Sequence, residues 1–462
     1  METRLDIKEA AVRERRVWVR LTRRCNNGCL FCLDADSLDG SAVPSEEVER
    51  LIRQGRADGG QRLILSGGEP TLHPDYLKFL ALGKDLGYTW RQTVSNGRMF
   101  AYRKFADAAV EAGLCEATFS MHAHREDLFD RLVGVPGAFR QALAGLKNLV
   151  GRIVVNVDVV LSRMNLPFLR EILDFYIGLG IHEFDLLHMV PFGRAWNENR
   201  ELLFYDPAEM APHFRRAFEV RKNRGVILWT NRLPARFLEG NEDLIQDPHK
   251  LHDEVRGRMA MFEAWRDRGE LPICMGDRCP HCPMEGFCKA LQESLTMSPP
   301  APPQSRVSGG SAPDCLPAEK GVDLLLREMS SAEASQVTLV LPARDYLSEA
   351  DEKDLDLPTL QELARVHGCR IAGIPPCLGG LAPGSGFVTD SCAAAIETLP
   401  FDAQGRLDLV AFTDWYIRNR CFVKSLRCST CALDSTCKGL HITSARRFGL
   451  GVLAPVSTSS RD

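Results

Sequence analysis

The sequence predicts an α/β protein: a partial (β/α)6 barrel of parallel strands, then a cysteine-rich, mostly irregular C-terminal extension. Three observations carry this. Between residue 16 and about residue 190, short β-rich runs alternate with amphipathic helical stretches, the pattern of a parallel sheet with right-handed crossovers. That stretch is shorter than the about 250 residues of a closed eight-fold barrel, so an open six-stranded one fits better. Beyond it, cysteines crowd two loops separated by a Pro-, Ser- and Gly-rich stretch. The 462-residue length suits two or three units, each able to bury a core.

The elements follow in chain order. Residues 1–15 form an N-terminal extension without a recognisable docking domain, and the barrel core takes 16–235. Strands are expected at Arg16–Thr22, Arg62–Ser66, Thr89–Val94, Cys115–Ser120, Arg152–Leu161 and Glu183–Val190. A helix begins at Ser45 as its N-cap, with Glu46 and Glu47 in the first turn and Val48, Leu51 and Ile52 on one face. Further helices are expected at Asp75–Leu86, Ala101–Ala112, Ala138–Leu149 and Leu169–Leu179. In such a barrel the loops at the strand C-termini carry the site. Residues 236–295 read as helical and polar, ending in the first cysteine loop. Residues 296–318 read as a linker, because their Pro/Ser/Gly composition cannot bury enough apolar surface to order itself. Residues 319–445 hold the second cysteine region, with a strand at Gln336–Leu341 and a helix at Leu357–Val366, and 446–462 read as a flexible tail.

Charge narrows the class. The chain has 57 Lys+Arg against 61 Asp+Glu, a net charge of −4, which argues against a dedicated nucleic-acid or anionic-membrane binder. No run approaches the roughly 20 apolar residues of a membrane span; Ile153–Leu161 is broken by Asn156 and Asp158. The first 18 residues are charged and lack an apolar signal core, so a cytoplasmic protein is expected. In that compartment 16 cysteines point to metal or redox chemistry before disulfides.

Cys25-Asn26-Asn27-Gly28-Cys29-Leu30-Phe31-Cys32 follows the first strand. Three thiolates can hold three irons of a 4Fe–4S cube, whose complete protein set is four, and so leave one iron open for a substrate or cosubstrate. The alternatives are a zinc site completed by a distant residue, or three unrelated cysteines. The next strand ends in Ser66-Gly67-Gly68-Glu69-Pro70, where two glycines allow close approach of the backbone to a ligand.

This arrangement, CxxxCxxC with Phe31 before the last cysteine and GGEP on the second strand of a TIM-like barrel, resembles the radical S-adenosylmethionine (radical SAM) superfamily. The resemblance runs from about residue 16 to 195. Val94-Ser95-Asn96-Gly97 is similar to the family's strand-three TNG segment, and Phe119-Ser120-Met121-His122 to its strand-four segment, with Ala123 where glycine is common. Phe129–Gly134 is similar to the HDxxxG stretch of peptide-modifying members, with Phe129 in place of His, and Val160–Asn165 to the strand-five exit. The resemblance implies a 4Fe–4S cluster on Cys25, Cys29 and Cys32, with S-adenosylmethionine chelating the open iron through its amino and carboxylate groups. It implies that Phe31, Gly67, Gly68, Glu69, Pro70, Asn96 and Ser120 line the cofactor, Ser120 near the methionine carboxylate or ribose. One electron, from a donor such as flavodoxin or ferredoxin, would cleave the sulfonium and yield a 5′-deoxyadenosyl radical aimed at one substrate C–H bond. His122 and His124 either act on substrate or are polar groups lining the barrel mouth.

The later cysteines repeat a pattern. Cys274, Cys279, Cys282 and Cys288 have spacing C-x4-C-x2-C-x5-C, and Cys421-x6-Cys428-x2-Cys431-x5-Cys437 repeats its core. Each half can supply four thiolates, the second being Cys428, Cys431 and Cys437 with either Cys377 or Cys421, enough for one or two auxiliary 4Fe–4S clusters. The core is similar to the SPASM auxiliary-cluster domain, which continues with x3-Cys; Gln292 and His441 stand there instead. His441 is either a ligand or a helix-terminal histidine, and zinc is the alternative metal. Asp277 is a candidate base or a loop-solvating carboxylate. Cys115 opens a core strand and reads as a small hydrophobe; Cys315, Cys369 and Cys392 have no assignment.

The expected function is therefore a radical SAM oxidoreductase that matures a peptide or protein by hydrogen-atom abstraction. The alternatives are a radical SAM enzyme of small-molecule or cofactor biosynthesis, or a non-catalytic Fe–S or zinc scaffold. Partners would be an electron donor and a peptide or protein substrate, with neither membrane nor nucleic acid.

Overall fold

The structure of the protein, a computed structural model, describes residues 14–223, 225–297, 315–342, 344, 347–378 and 398–456. The Ser298–Pro313 stretch, Cys392 and most of the N-terminal extension lie outside the described residues. The chain divides into two compact units, one spanning Arg13–Leu233 and the other built from the chain after Pro234.

The first unit is an open, all-parallel sheet of seven strands in sequence order: β1 Arg16–Thr22, β2 Arg62–Gly67, β3 Trp90–Ser95, β4 Glu116–Ser120, β5 Val154–Val160, β6 Glu183–Leu187 and β7 Ile227–Asn231. Helices α1 Ser45–Ala57, α2 Tyr76–Asp85, α3 Arg103–Glu111, α4 Glu126–Val133, α5 Ala138–Leu149 and α6 Leu169–Ile177 fill the crossovers. The seventh strand is one more than the sequence reading expected. It matches β6 in length and burial pattern, but the helical stretch 193–222 separates the two and interrupts the short alternation. Helix α1 also starts one position earlier than expected. Pro44 occupies the N-cap position, and the Ser45 hydroxyl donates to Asp75 Oδ2 instead.

Alternation along the strands sorts the two faces. Leu63 and Leu65, Ala117 and Phe119, Val157 and Val159, and Phe184 and Leu186 are buried under the helices. The residues between them are largely polar. Near the N-terminal ends of β2–β5 they form a connected layer. The Glu116 carboxylate accepts from Arg62 Nη1 at 2.5 Å, from Asn156 Nδ2 at 2.9 Å and from Trp90 Nε1. Gln92 donates to Thr118 at 2.8 Å, and Thr118 to Asn156 at 2.7 Å. This layer spans one end of the barrel, so chemistry is confined to the other, where the strand C-termini lie.

In the second unit, helices Met259–Arg268, Glu285–Leu295 and Leu409–Arg420 pack Phe262, Trp265, Phe287, Phe412 and Trp415 into one core. Between the cysteine loops lies a three-stranded parallel sheet, β8 Cys315–Pro317, β9 Thr338–Val340 and β10 Arg370–Ala372, in the order β10-β9-β8. The last residues of the expected linker are thus strand β8, because Ala318 behind it is fully buried. Strands β11 Phe422–Val423 and β12 Leu440–His441 pair antiparallel and bracket the second cysteine loop. The expected flexible tail is a correction: residues 446–456 are ordered. Arg446 is buried and pairs with Asp247 at 2.9 Å, and Leu450 and Leu453 bury themselves beside Cys377 and Cys428. Among the described residues no helix is long and apolar enough to cross a membrane.

Buried Glu116 accepts from three half-buried donors, so Glu116→Ala leaves Trp90 and Asn156 without an acceptor, while Arg62 keeps Glu14 at 2.7 Å. Denaturant unfolding is expected to show a loss of about 2–4 kcal/mol, since each buried group left without its partner costs about 1–3 kcal/mol. A loss within about 1 kcal/mol, the scale of a surface pair, would contradict the role given to this layer.

Candidate metal and cofactor centre

The loop Cys25–Cys32 leaves β1 without ladder partners, so its backbone groups need others. Gly28 N–H donates to Val133 O at 2.9 Å and Leu30 N–H to Leu132 O at 2.9 Å, which ties the loop to the end of α4. Arg98 Nη1 donates to Asn26 O and, at 2.9 Å, to Asn27 Oδ1. After β6, Arg194 N–H donates to Cys32 O at 3.0 Å and its Nη1 to Cys29 O at 3.1 Å, while Asn199 Nδ2 reaches Leu30 O at 3.0 Å. Gly193, at φ +56°, lies against this loop so closely that a Cβ would stand 2.2 Å from Cys32 O.

Cys25, Cys29 and Cys32 are half-buried, and their thiols act on one another. Burial pushes Cys29 up to about 12, with the charges of Cys25 and Cys32 adding and Arg194 opposing. Burial also raises Cys25 and Cys32. Such a donor set takes its thiolate form opposite a strong positive centre, which is what an iron–sulfur cluster offers. The residues fit that group. Among the described residues, no group of three or more His, Cys, Asp or Glu side chains is already drawn together around one point.

Gly67 and Gly68 are tied to the chain entering this loop. Gly68 N–H donates to Thr22 O and Glu69 N–H to Arg24 O, each at 2.8 Å. A Cβ on Gly67 would lie 2.6 Å from Thr22 O, and one on Gly68 2.4 Å from Arg24 O. The close approach expected toward a ligand is therefore made first of all to the protein's own backbone. Glu69 is fully buried and accepts from Thr71 N at 3.2 Å, Thr71 Oγ1 at 2.5 Å, Ser95 Oγ at 2.8 Å and Asn96 N at 2.8 Å. Burial raises its carboxyl while these donors pull it down. Pro70 is buried in the turn that Glu69 caps. Asn96 Nδ2 donates to Asn26 Oδ1 at 2.7 Å and lies 4.0 Å from Cys25 Sγ. Three strand exits are thereby locked together.

Phe31 meets the His122 ring edge-on, with centroids 4.6 Å apart, and Phe129 stacks on its other side at 6.2 Å. His122 Nδ1 accepts the Val160 N–H at 3.1 Å, and burial drives its pKa down to about 3. The structure thus places this catalytic candidate as a neutral ring joining β4 to β5. His124 is half-buried beside Phe168 and Phe175. Ser120 ends β4 opposite Asp158 of β5, which is opposite Asp185 of β6. Burial, then the neighbouring Asp185, lifts the Asp158 carboxyl well above the usual range.

In the second unit Cys274, Cys279, Cys282 and Cys288 act on one another, and burial pushes Cys288 up to about 12. Cys377 is raised by burial and then by Cys437, Cys428 and Cys431, and it shares a buried cluster with Cys428. Cys421 is instead near Tyr416, whose hydroxyl also feels Cys288; burial alone pushes the Cys421 thiol up to about 12. His441 is buried, its Nε2 bonded to Ile417 O at 2.8 Å and its Nδ1 accepting from Thr443 N–H at 3.3 Å. Both ring nitrogens are used by the protein, so His441 is a cap and not a metal ligand. Asp277 is exposed on the first cysteine loop. Cys115 is half-buried and receives Arg91 Nη2, and Cys369 is a core residue.

Residues 19–175 match the family model of the radical SAM superfamily. These residues form a radical SAM domain. Over 178 residues the chain is 30% identical to a probable GTP 3′,8-cyclase of Saccharolobus solfataricus, covering 38% of this chain and 57% of that one. A probable GTP 3′,8-cyclase of Sulfurisphaera tokodaii is 30% identical over 182 residues, 39% of this chain and 57% of that one. The chain thus spans just over half the length of these curated relatives. Among solved structures, Streptococcus suis SuiB bound to precursor peptide SuiA aligns with a TM-score of 0.41 and 18% identity, over 51% of this chain and 52% of that one. The maturase HydG from Carboxydothermus hydrogenoformans aligns with a TM-score of 0.36 and 11% identity, over 53% and 60%.

The sequence reading missed several residues of the radical SAM domain. Asp158 was visible as a polar interruption of a Val-rich strand, whereas Arg98, Arg194 and Asn199 carry no motif and act by reaching back to the loop. Gly193→Ala forces the Cys32 carbonyl away. Iron bound after anaerobic loading is expected to fall by about four per chain, the content of one cubane, with circular dichroism unchanged. Full iron retention would show that the loop tolerates the shift.

Proposed function

We propose that this chain is a radical SAM enzyme in which Cys25, Cys29 and Cys32 hold a 4Fe–4S cluster whose remaining iron binds S-adenosylmethionine. The observation that carries the reading is the lacing of this three-thiol loop to the exits of β2 and β3 through Glu69 and Asn96. When bound, the cluster and S-adenosylmethionine supply reductive sulfonium cleavage and hydrogen-atom abstraction. Glu69 and Pro70 hold the Gly67-Gly68 edge rigid for the amino acid end of the cofactor. Phe31 and Asn96 flank the loop, and Ser120 with Asp158 offers polar contacts on the lumen wall. The polar layer around Glu116 keeps solvent from entering behind the reacting groups.

In the same reading, Cys274, Cys279, Cys282 and Cys288 hold one auxiliary cluster, and Cys377, Cys428, Cys431 and Cys437 hold another. Two fully protein-ligated clusters suit an oxidation, because they accept the electron left after a hydrogen atom is removed. A peptide or protein is the proposed substrate, with flavodoxin or ferredoxin as electron donor. The second reading is a small-molecule substrate in cofactor biosynthesis; the 30% identity to proteins named probable GTP 3′,8-cyclase favours it.

Anaerobically loaded protein is expected to bind about 12 irons per chain, four for each cubane, and to release 5′-deoxyadenosine on reduction. Replacing Cys25, Cys29 and Cys32 together by Ala removes about four irons and all nucleoside release. Cys377→Ala also removes about four, whereas Cys421→Ala removes none. Zinc in the C-terminal loops with no nucleoside product would overturn the reading. Nucleoside release stimulated by GTP would select the small-molecule alternative.

A further inference from the structure

We propose that Arg258 tunes the redox centre held by Cys274, Cys279, Cys282 and Cys288, making that centre easier to reduce. This inference rests on the auxiliary-cluster reading above. Arg258 caps the start of the helix Met259–Arg268. Its Nη1 lies 3.1 Å from Met284 Sδ and 2.6 Å from Glu254 Oε2. Met284 is buried between two of the thiols, and its carbonyl accepts the Cys288 N–H at 2.9 Å. The guanidinium therefore presses on the middle of the cysteine loop. The Arg258 and Glu254 side chains are each only 15% exposed, so solvent screens their charges weakly.

Met284 is two residues past Cys282 and four before Cys288, so the guanidinium lies against the segment that carries both thiols. Half-buried Arg278 stands next to Cys279 in the same loop. The other nearby charges are weaker partners: Lys289 is exposed and paired with Glu285 at 2.7 Å, and Asp277 is exposed. The second quartet is built differently. Its nearest acid, Asp434, pairs with Lys424 at 2.8 Å. Two of its thiols receive backbone N–H groups, from Leu433 and Val456 to Cys431 and from Gly439 to Cys437, at 3.3–3.4 Å. The repeated C-x2-C-x5-C spacing thus conceals two different electrostatic settings.

Reduction adds one electron, and with it one negative charge, to the centre; the electron comes from the one-electron carrier or from dithionite in vitro, which is oxidised. A buried cation favours the reduced form, and its removal favours the oxidised one.

The test uses full-length, fully loaded protein with dithionite and redox mediators, following the auxiliary signals by electron paramagnetic resonance. Arg258→Gln is expected to shift one auxiliary midpoint downward by at least tenfold in the reduction equilibrium, 59 mV for a one-electron couple. Glu254→Gln, which relieves the guanidinium of its counter-charge, is expected to shift the same signal upward, and Arg258→Lys to stay near wild type. Opposite shifts from two neighbouring side chains are not the mark of a merely structural role. Unchanged midpoints, or shifts of the same sign, overturn the inference. If Arg258→Gln loses iron, Glu254→Gln and Arg258→Lys decide by the same criteria. A wild-type chain holding only about four irons overturns the auxiliary-cluster reading itself and this inference with it.

Discussion

The mouth of the barrel depends on the carboxylate of Glu69. It is fully buried, and a buried carboxylate is tolerated only where donors surround it. Here they come from its own turn, through Thr71, and from the neighbouring strand exit, through Ser95 and Asn96. Asn96 then passes the constraint to Asn26 within the cysteine loop. One residue thereby fixes the relative positions of three loops that have no strand pairing to hold them. The glycines before it complete the arrangement, because side chains at these positions would push β2 away from the backbone of Thr22 and Arg24.

The barrel interior follows a division of labour along its length. Polar groups at the N-terminal end satisfy one another around Glu116, and this end works as a structural plug. Higher up, the row Ser120, Asp158 and Asp185 keeps polar groups facing the lumen, where burial makes charge costly. Most parallel barrels fill this space with branched aliphatic side chains. Polar filling leaves a lumen that can accept a polar guest at its open end.

Much of this was legible in the sequence, for identifiable reasons. The first six strands alternate with helical stretches at short, regular intervals, and the motifs at the C-termini of β1 to β4 sit where a parallel barrel places its chemistry. The thiol loop and the Gly67-Gly68 turn are local in sequence, so spacing alone exposes them. Strand β7 was not legible because it follows β6 only after the long helical stretch 193–222, which interrupts the short strand–helix alternation. Cys377 could not be separated from Cys421 by spacing, because burial beside Leu450 and Leu453 distinguishes them and those contacts span the chain. His441 sat at the family's ligand position, yet its ring is taken up by Ile417 and Thr443. The Arg98, Arg194 and Asn199 contacts are long-range by nature, and no periodicity reveals them.

The two cysteine quartets differ in how far apart their members lie along the chain, and this bears on the order of assembly. Cys274, Cys279 and Cys282 lie in one short loop between two helices and Cys288 in the first turn of the second, so the cost of gathering them is small. Cys377 meets Cys428, Cys431 and Cys437 only after an intervening stretch has been spanned, and the strand ends that bracket this loop, Val423 and Leu440, must pair as well. Its wall is finished by Leu450 and Leu453, close to the last described residue. The first quartet can therefore gather while the chain is still being synthesised, whereas the second waits until Leu453 has been made. A chain truncated shortly before Leu450 would retain the local quartet and lose the wall of the distributed one.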